Sequence, residues 1–219
     1  MKQDFPIERV LETVSSQVEA FSLPSVSFLS QKYNDPFIIL VSTILSARTK
    51  DETTTAATLR LFQTVCEPQD MCNLSEAELQ DLIYPVGFYR IKAKTLKKMC
   101  LHILQEYKGS VPDTMEHLLK LPGVGRKTAN LVLGLGFNQP AICVDTHVHR
   151  ITNRWGYVST NTPQETEQAL RRKLPRPWWI TINSVLVRFG QHICRPLSPF
   201  CSQCASSKYC LKVAVDRSR

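Results

Sequence analysis

The sequence lacks an apolar run long enough to cross a membrane. Its longest such run, Phe37 to Ala47, has 11 residues, whereas a transmembrane helix needs about 20. A secretory signal is also missing, because the first residues, "MKQDFPIERV", include acids and contain no apolar stretch. Both absences argue against a membrane or secreted protein. We expect a soluble intracellular chain in which Phe37 to Ala47 is a buried core helix.

Segments of alternating apolar and polar residues, the mark of a half-buried β-strand, are likewise missing. Apolar residues instead recur at helical spacing, first at Val10, Leu11, Val14, Val18 and Phe21. The stretch "RIKAKTLKKMCLHILQEYKG" is typical of one long amphipathic helix. A capping residue followed by Pro, or by an acid three positions later, indicates three further helix starts. These are Asp35 with Pro36, Ser75 with Glu78, and Thr162 with Glu165. The predicted fold class is all-α.

Acidic residues are scarce in the last third of the chain. Ile142 to Arg219 contains 12 Lys and Arg against 4 Asp and Glu, whereas the preceding residues contain 15 of each. The whole net charge of +8 therefore lies in this segment. A basic segment of this kind indicates either a polyanionic partner or a solvated surface. Charge alone does not separate the two.

Four of the eight cysteines are concentrated near the C-terminus. Cys194, Cys201, Cys204 and Cys210 follow the pattern C-x6-C-x2-C-x5-C. Two disulfides are not expected in a reducing compartment, so the thiols are candidate metal ligands. Zinc ribbons usually pair two C-x2-C knuckles, and only one occurs here; the wider spacing favours an iron–sulfur cluster, with zinc the alternative. The other four cysteines are expected to be buried free thiols: Cys66, Cys72, Cys100 and Cys143.

The stretch "LPGVGRKTANLVLGLG" leads into a helix through two closely spaced glycines. Each glycine would cost about 1 kcal/mol inside a helix relative to alanine. Glycines at Gly123 and Gly125 are explained if the backbone turns sharply and another group approaches it closely. Because N–H groups and the helix dipole favour an anion at a helix N-terminus, that group is expected to be a phosphate.

Two ionisable residues near this turn are candidate catalytic groups. Lys127 follows Gly125 by two residues, and a deprotonated lysine is a nucleophile. Asp145 follows Lys127 by 18 residues (145 − 127) and starts "DTHVHR", where it is also a candidate helix cap. Without further context, Lys127 would be taken as an exposed helix lysine. His147 and His149 are either core residues or phosphate contacts, and neither is assigned to catalysis.

In combination these motifs resemble the endonuclease III family of helix-hairpin-helix DNA glycosylases. The resemblance rests on "LPGVGRKTANLVL", "VDTHVHRITNRWG" and the four-cysteine loop, and extends to "LVSTILSARTKD" and "PVGFYRIKAKTL". It implies a bifunctional enzyme that removes damaged bases, foremost oxidised pyrimidines, and cleaves the abasic strand by β-elimination. The alternatives are a monofunctional glycosylase of the same superfamily and a non-enzymatic DNA-binding module. The first usually lacks a lysine at the position of Lys127, and the second needs no Lys–Asp pair.

The resemblance also implies a role for each candidate residue. Lys127 is the expected nucleophile and Asp145 the carboxylate that assists it. The hairpin, with helices at about Met115 to Lys120 and from Arg126, would hold the DNA backbone of double-stranded DNA that contains damaged bases or abasic sites. Its contact residues would be Gly123, Val124, Gly125 and Arg126, with Arg195 from the cysteine loop. A [4Fe–4S] cluster would be held by Cys194, Cys201, Cys204 and Cys210.

Two residues depart from the family pattern. Arg48 stands in "LSARTKD" where a glutamine is usual, and Phe88 stands in "VGFYR" where a leucine wedge is common. Arginine only donates hydrogen bonds and prefers the O6/N7 edge of guanine, and an aromatic ring can stack on a base. Both are predicted DNA contacts, with Arg48 in the gap left by a flipped nucleotide and Phe88 stacked on the neighbouring base. The simpler alternative is that Arg48 pairs with a phosphate or with Asp51.

Two helical domains are implied by the same resemblance. A six-helix barrel with the hairpin would cover residues 29–139, and an iron–sulfur domain would combine 1–28 with 140–219. Lys127 and Asp145 would face a cleft from opposite sides. We expect a monomer, located in the bacterial cytoplasm in preference to the nucleus or mitochondrion.

Overall fold

The computed structural model describes residues 5–219, and within this range it contains helices and turns and no β-strand. The all-α prediction is confirmed. None of the helices in the described range is long and apolar enough to cross a membrane. In chain order the α-helices are α1 Ile7–Val18, α2 Ser25–Tyr33, α3 Pro36–Ser46, α4 Asp51–Leu61, α5 Pro68–Asn73, α6 Glu76–Ile83, α7 Tyr89–Tyr107, α8 Met115–Leu118, α9 Arg126–Leu131, α10 Thr146–Arg154, α11 Pro163–Lys173 and α12 Ile182–His192. A π-helical turn, Val132–Gly136, extends α9, and short 3₁₀ turns occur at Arg176–Trp178 and Ser207–Tyr209.

Capping residues start three of these helices as predicted. Asp35 accepts hydrogen bonds from the backbone N–H groups of Phe37 and Ile38 at the start of α3. Ser75 and Glu78 form a reciprocal capping box at α6. Thr162 accepts from the N–H of Glu165 at α11. Each bond pairs an N–H group that has no partner within its own helix.

One compact unit comprises Ser25–Ala141 and contains α2 to α9. Its core helix is α3, in which every residue from Phe37 to Leu45 is buried. This confirms the core of the helix predicted over Phe37 to Ala47, although the helix ends at Ser46 and Ala47 is exposed. The core also includes Leu96 and Met99 from α7, both fully buried. The barrel predicted over 29–139 falls within this unit.

The other unit combines the segment up to Pro24 with Ile142–Arg219, and contains α1 and α10 to α12. On α1 the Val10, Leu11, Val14 and Val18 side chains of the predicted stripe are fully buried, whereas Phe21 lies beyond the end of the helix and is half-buried. Trp155 and Phe189 are the largest fully buried side chains of its core. The domain predicted over 1–28 and 140–219 includes residues 1–4, which lie outside the described range.

The cysteines away from the C-terminal loop are free thiols, as predicted. Cys100 and Cys143 are buried and Cys72 is half-buried, but Cys66 is exposed, so its predicted burial was wrong. Cys66 lies in the loop between α4 and α5, where its N–H donates to the Asp70 carboxylate. An apolar residue in a short connection has little surrounding structure to cover it.

Candidate functional site

The glycine turn lies between α8 and α9. Helix α8 ends at Leu118, two residues before the predicted end at Lys120, and α9 begins at Arg126 as predicted. Leu121 and Val124 are buried in the core of the unit. These two side chains fix the turn from beneath and leave Gly125 and Arg126 exposed.

The two glycines serve different needs. Gly123 has φ +80°, and a Cβ there would lie 2.4 Å from the Thr95 side chain, so the fold itself requires glycine. Gly125 has an ordinary φ of −101°, and a Cβ there would meet no atom within 4 Å. The chain therefore imposes no steric need for glycine at Gly125, and its bare backbone leaves room for a group from outside.

Alanine at each glycine should separate these two needs. Gly123→Ala is expected to lower the free energy of unfolding by about 1–3 kcal/mol through strain at positive φ. Gly125→Ala should leave stability unchanged but weaken DNA binding, since the methyl group occupies the space a phosphate would need. Urea unfolding and fluorescence anisotropy with a labelled duplex measure the two effects. Unaltered DNA affinity in Gly125→Ala would contradict a close phosphate approach.

Lys127 occupies the first turn of α9, and both it and Arg126 are exposed. Helix α9 is fixed from behind, because Ala129 in the helix and Val132 in the π turn that extends it are buried in the core. In the following π turn, a Cβ on Gly136 would lie 3.2 Å from the Pro36 backbone, so the segment packs tightly on the start of α3. The lysine thus extends from a rigid base towards solvent.

Asp145 is the N-cap of α10 in the other unit. Its Oδ1 atom accepts hydrogen bonds from the N–H groups of His147 and Val148, each at 2.9 Å. The side chain is half-buried, and Val148 and Ile151 anchor the helix in the core. The two bonds fix the orientation of the carboxylate at the start of the helix.

The two histidines that follow have polar partners in their own unit. His149 Nδ1 lies 2.7 Å from Thr166 Oγ1, and Thr166 is fully buried. His147 Nδ1 lies 3.2 Å from the guanidinium of Arg150. His149 is therefore part of the packing between α10 and α11, which favours the structural reading of that residue.

The C-terminal cysteine loop encloses a cavity. Its lining includes all four thiols together with the apolar side chains of Trp155, Phe189 and Ile193, the thiols being those of Cys194, Cys201, Cys204 and Cys210. Burial raises the pKa of the Cys204 and Cys210 thiols. Among residues 5–219, no three His, Cys, Asp or Glu side chains are arranged to ligate a single metal ion.

Helix α10 supports this loop through two arginines. Arg154 is buried and donates to the carbonyl oxygens of Arg195 and Pro196, both at 2.6 Å, and to the Cys194 sulfur at 3.5 Å. Arg150 donates to the Cys194 carbonyl oxygen at 2.9 Å. Sequence reasoning missed both residues; the signal available was a pair of arginines four residues apart on the helix that Asp145 begins.

Arg195 itself is exposed at the loop surface. Its guanidinium carbon lies 5.0 Å from the centroid of the Phe200 ring, which holds the long side chain along the loop. This position leaves the charge accessible to an anion.

Arg48 and Phe88, the two departures from the family pattern, lie together. The guanidinium carbon of Arg48 is 5.5 Å from the centroid of the Phe88 ring. Both residues are exposed, and both have positive φ, +53° and +59°. The Asp51 carboxylate, the alternative partner considered for Arg48, accepts from the N–H of Ser25. The pairing of Arg48 with Phe88 could not be predicted from the sequence, because the two residues lie 40 positions apart (88 − 48).

Comparison with known proteins supports the motif analysis. Residues 41–176 match the family model of the HhH-GPD superfamily base excision DNA repair proteins. The chain is 49% identical over 181 residues to endonuclease III of Thermotoga maritima, covering 83% of this chain and 85% of that protein. It is 47% identical over 193 residues to the chloroplastic endonuclease III homolog 2 of Arabidopsis thaliana, covering 84% of this chain and 50% of that protein.

A solved structure is similar over nearly the whole length. It is a trapped covalent intermediate of an endonuclease III with DNA, in an estranged-adenine complex. The match has a TM-score of 0.84 at 32% identity and covers 97% of each chain.

Proposed function

The chain belongs to the endonuclease III family of the HhH-GPD superfamily, and we propose that Lys127 and Asp145 carry out its reaction on damaged DNA. The reaction is that of a bifunctional DNA glycosylase and abasic-site lyase in base excision repair. The single observation that supports the assignment is the placement of Lys127, exposed on the first turn after the glycine hairpin. A DNA backbone held at that hairpin would lie beside the amine.

DNA binding would come first. The bare backbone at Gly125 and the exposed Arg126 are suited to a phosphate, which positions the strand without reading sequence. A damaged base inside a duplex is out of reach, so the enzyme must flip the nucleotide out of the stack. Arg195 on the cysteine loop would add a second backbone contact.

Base removal would then proceed through Lys127. The neutral amine attacks C1′ of the sugar, the bond to the base breaks, and the base leaves with the electron pair and takes up a proton. Positive charge develops on the sugar as this bond breaks, and the fixed carboxylate of Asp145 is suited to stabilise it. The same carboxylate can take the proton that Lys127 must lose to become a nucleophile.

Strand cleavage follows from the amine. The sugar ring of this adduct then opens. The C1′–O4′ bond breaks, O4′ leaves with the electron pair and takes up a proton, and an imine forms between Lys127 and C1′, which acidifies the protons on C2′. Removal of one C2′ proton expels the 3′ phosphate as the leaving group, and the strand breaks by β-elimination. A hydroxide or water nucleophile would leave no imine and therefore no such cleavage.

We further propose that the C-terminal loop holds a [4Fe–4S] cluster. All four thiols line one cavity. Arg154 donates to the sulfur of Cys194 and the N–H of Lys212 to that of Cys210, contacts suited to sulfur ligands of such a group. The cluster when bound would supply structural cross-linking of the loop. The chain's own part is to present Arg195 on the resulting surface.

We expect the rate of excision to depend on the base that lies opposite the damaged one. The Arg48–Phe88 pair is proposed to occupy the gap left by the flipped nucleotide, with the ring stacked on a neighbouring base and the guanidinium turned to the orphaned one. Stacking of this kind is worth about 1–3 kcal/mol per base. Because Arg48 only donates, guanine is the preferred orphaned base.

One excision experiment tests the activity and this selectivity together. Single-turnover rates are measured on duplexes with one oxidised pyrimidine opposite G, A, C or T, each with and without hot alkali. A bifunctional enzyme should cleave equally in both treatments, fastest opposite G, and Arg48→Gln should flatten the preference. Cleavage that appears only after alkali would indicate a monofunctional glycosylase. Equal rates opposite all four bases would leave Arg48 as a backbone contact.

A further inference from the structure

Helix α7 carries a buried lysine to which the reaction assigns no part. Lys92 lies in the first turn of α7 and its side chain is only 7% exposed. Its ammonium group donates to the carbonyl oxygens of Leu45, at 2.7 Å, and Ala47, at 2.6 Å, and to Thr49 Oγ1 at 3.1 Å. These three acceptors satisfy its three donors.

The acceptors belong to the turn that presents Arg48. Thr49 Oγ1 also accepts from the N–H of Gly87, at 3.1 Å, in the turn that presents Phe88. A Cβ on Gly87 would lie 2.5 Å from the Arg48 carbonyl oxygen, so the two turns touch backbone to backbone. Lys92 therefore closes a hydrogen-bonded joint between the two turns.

Both turns hold a strained residue at this joint. Arg48 and Phe88 have φ values of +53° and +59°, in a backbone region that residues other than glycine rarely adopt. Such conformations persist only where the surrounding structure determines them. The bonds from Lys92 to the Leu45 and Ala47 carbonyl oxygens fix the backbone before Arg48, and its bond to Thr49 Oγ1 holds the residue after it. Thr49 passes the constraint to the turn of Phe88 by accepting from the N–H of Gly87.

Burying a cation against neutral acceptors is costly, and burial lowers the pKa of Lys92 to about 8. An apolar side chain of similar length would fill the same space without this cost. Packing alone therefore does not explain a lysine here. A group that donates hydrogen bonds to the oxygens of Leu45, Ala47 and Thr49 at once does explain it.

We propose that Lys92 is a positioning residue that holds Arg48 and Phe88 as one preformed wedge for entry into the duplex. This inference rests on the proposed role of the Arg48–Phe88 pair. Without the ammonium the two turns separate, and each side chain must be ordered again when DNA binds. The loss of Lys92 should therefore slow the opening of the duplex at the damaged site and should not change the chemical step at Lys127.

The test measures opening directly. A duplex carries a tetrahydrofuran abasic analogue, which cannot be cleaved, and 2-aminopurine as the orphaned base, whose fluorescence rises on unstacking. In stopped flow, wild type should give a rapid rise and Lys92→Met a rise about tenfold slower, in line with the cost of misplaced groups. Thr49→Val, a near-isosteric change, should slow it in the same direction and covers the case in which Lys92→Met folds poorly.

Lys97 provides the matched control on the same helix. Its ammonium group donates to the carbonyl oxygens of Cys72 and Leu74, away from the two turns. Lys97→Met should lower thermal stability to a similar degree and leave the opening rate at the wild-type value. Equal slowing in Lys92→Met and Lys97→Met would overturn the inference.

A double-mutant cycle identifies the route of the effect. In the Arg48→Ala/Phe88→Ala background, Lys92→Met should cause no further slowing, because the wedge it positions is gone. A slowing of the same size in that background would overturn the inference. A wild-type protein that gives no fluorescence rise would instead refute the proposed role of the pair itself.

Discussion

Lys127→Gln is expected to abolish the borohydride-stabilised crosslink to DNA and the cleavage of abasic strands. Glutamine keeps the length and polarity of the side chain but has no amine, so no imine forms and the C2′ protons are not acidified. The side chain is exposed, so the fold and the affinity for duplex DNA should change little. Trapping on a duplex with a single abasic site, followed by a denaturing gel, measures the loss.

Lys120 offers the control for this change. It lies just beyond α8, on the other side of the same hairpin, and its ammonium pairs with Glu116 at 2.9 Å on the protein surface. Lys120→Gln should retain full trapping. Undiminished crosslinking in Lys127→Gln would show that another amine is the nucleophile.

The second large effect is expected from Cys201→Ser. Wild-type protein prepared without oxygen should contain about four irons per chain, one for each thiolate. Serine replaces a thiolate with a poor ligand, and the loop around the cavity has few apolar groups of its own to fold on, so both iron content and soluble yield should fall severalfold. Metal analysis and the soluble fraction on expression report the two effects.

Cys66→Ser is the control, because that thiol is exposed and lies outside the cavity. It should leave iron content and yield at the wild-type level. Stoichiometric zinc without iron in the wild-type protein would refute the cluster and indicate a zinc site in the loop instead.

Much of the fold could be predicted because its signals are local. Asp35 and Pro36 start α3 through hydrogen bonds within one turn, and Ser75 caps α6 in the same way. The run from Phe37 to Leu45 is apolar except for Ser42 and Thr43, and a helix with so little polar surface is expected to be buried. Lys127 and Asp145 could be selected as candidates for the same reason. Their neighbours in sequence predict the local structure, a glycine turn before Lys127 and a helix start at Asp145.

The supporting residues could not be found in this way, since their partners are distant in sequence. Lys92 reaches Leu45, a separation of 47 residues, and Arg154 reaches Pro196, a separation of 42. A lysine on the apolar face of an amphipathic helix carries no mark of the oxygens it will meet. Only the packing of α7 on the end of α3 brings them together.

Everything proposed for the reaction depends on the amine of Lys127 forming the covalent link to the sugar. The most direct test of this link is to reduce the complex of wild-type protein and abasic-site duplex with borohydride, digest it, and locate the modified peptide by mass spectrometry. We expect a single adduct on Lys127, in the peptide that follows the Gly123–Gly125 turn. An adduct on a different lysine or on the N-terminal amine, or no adduct with an enzyme that still releases the base, would contradict it.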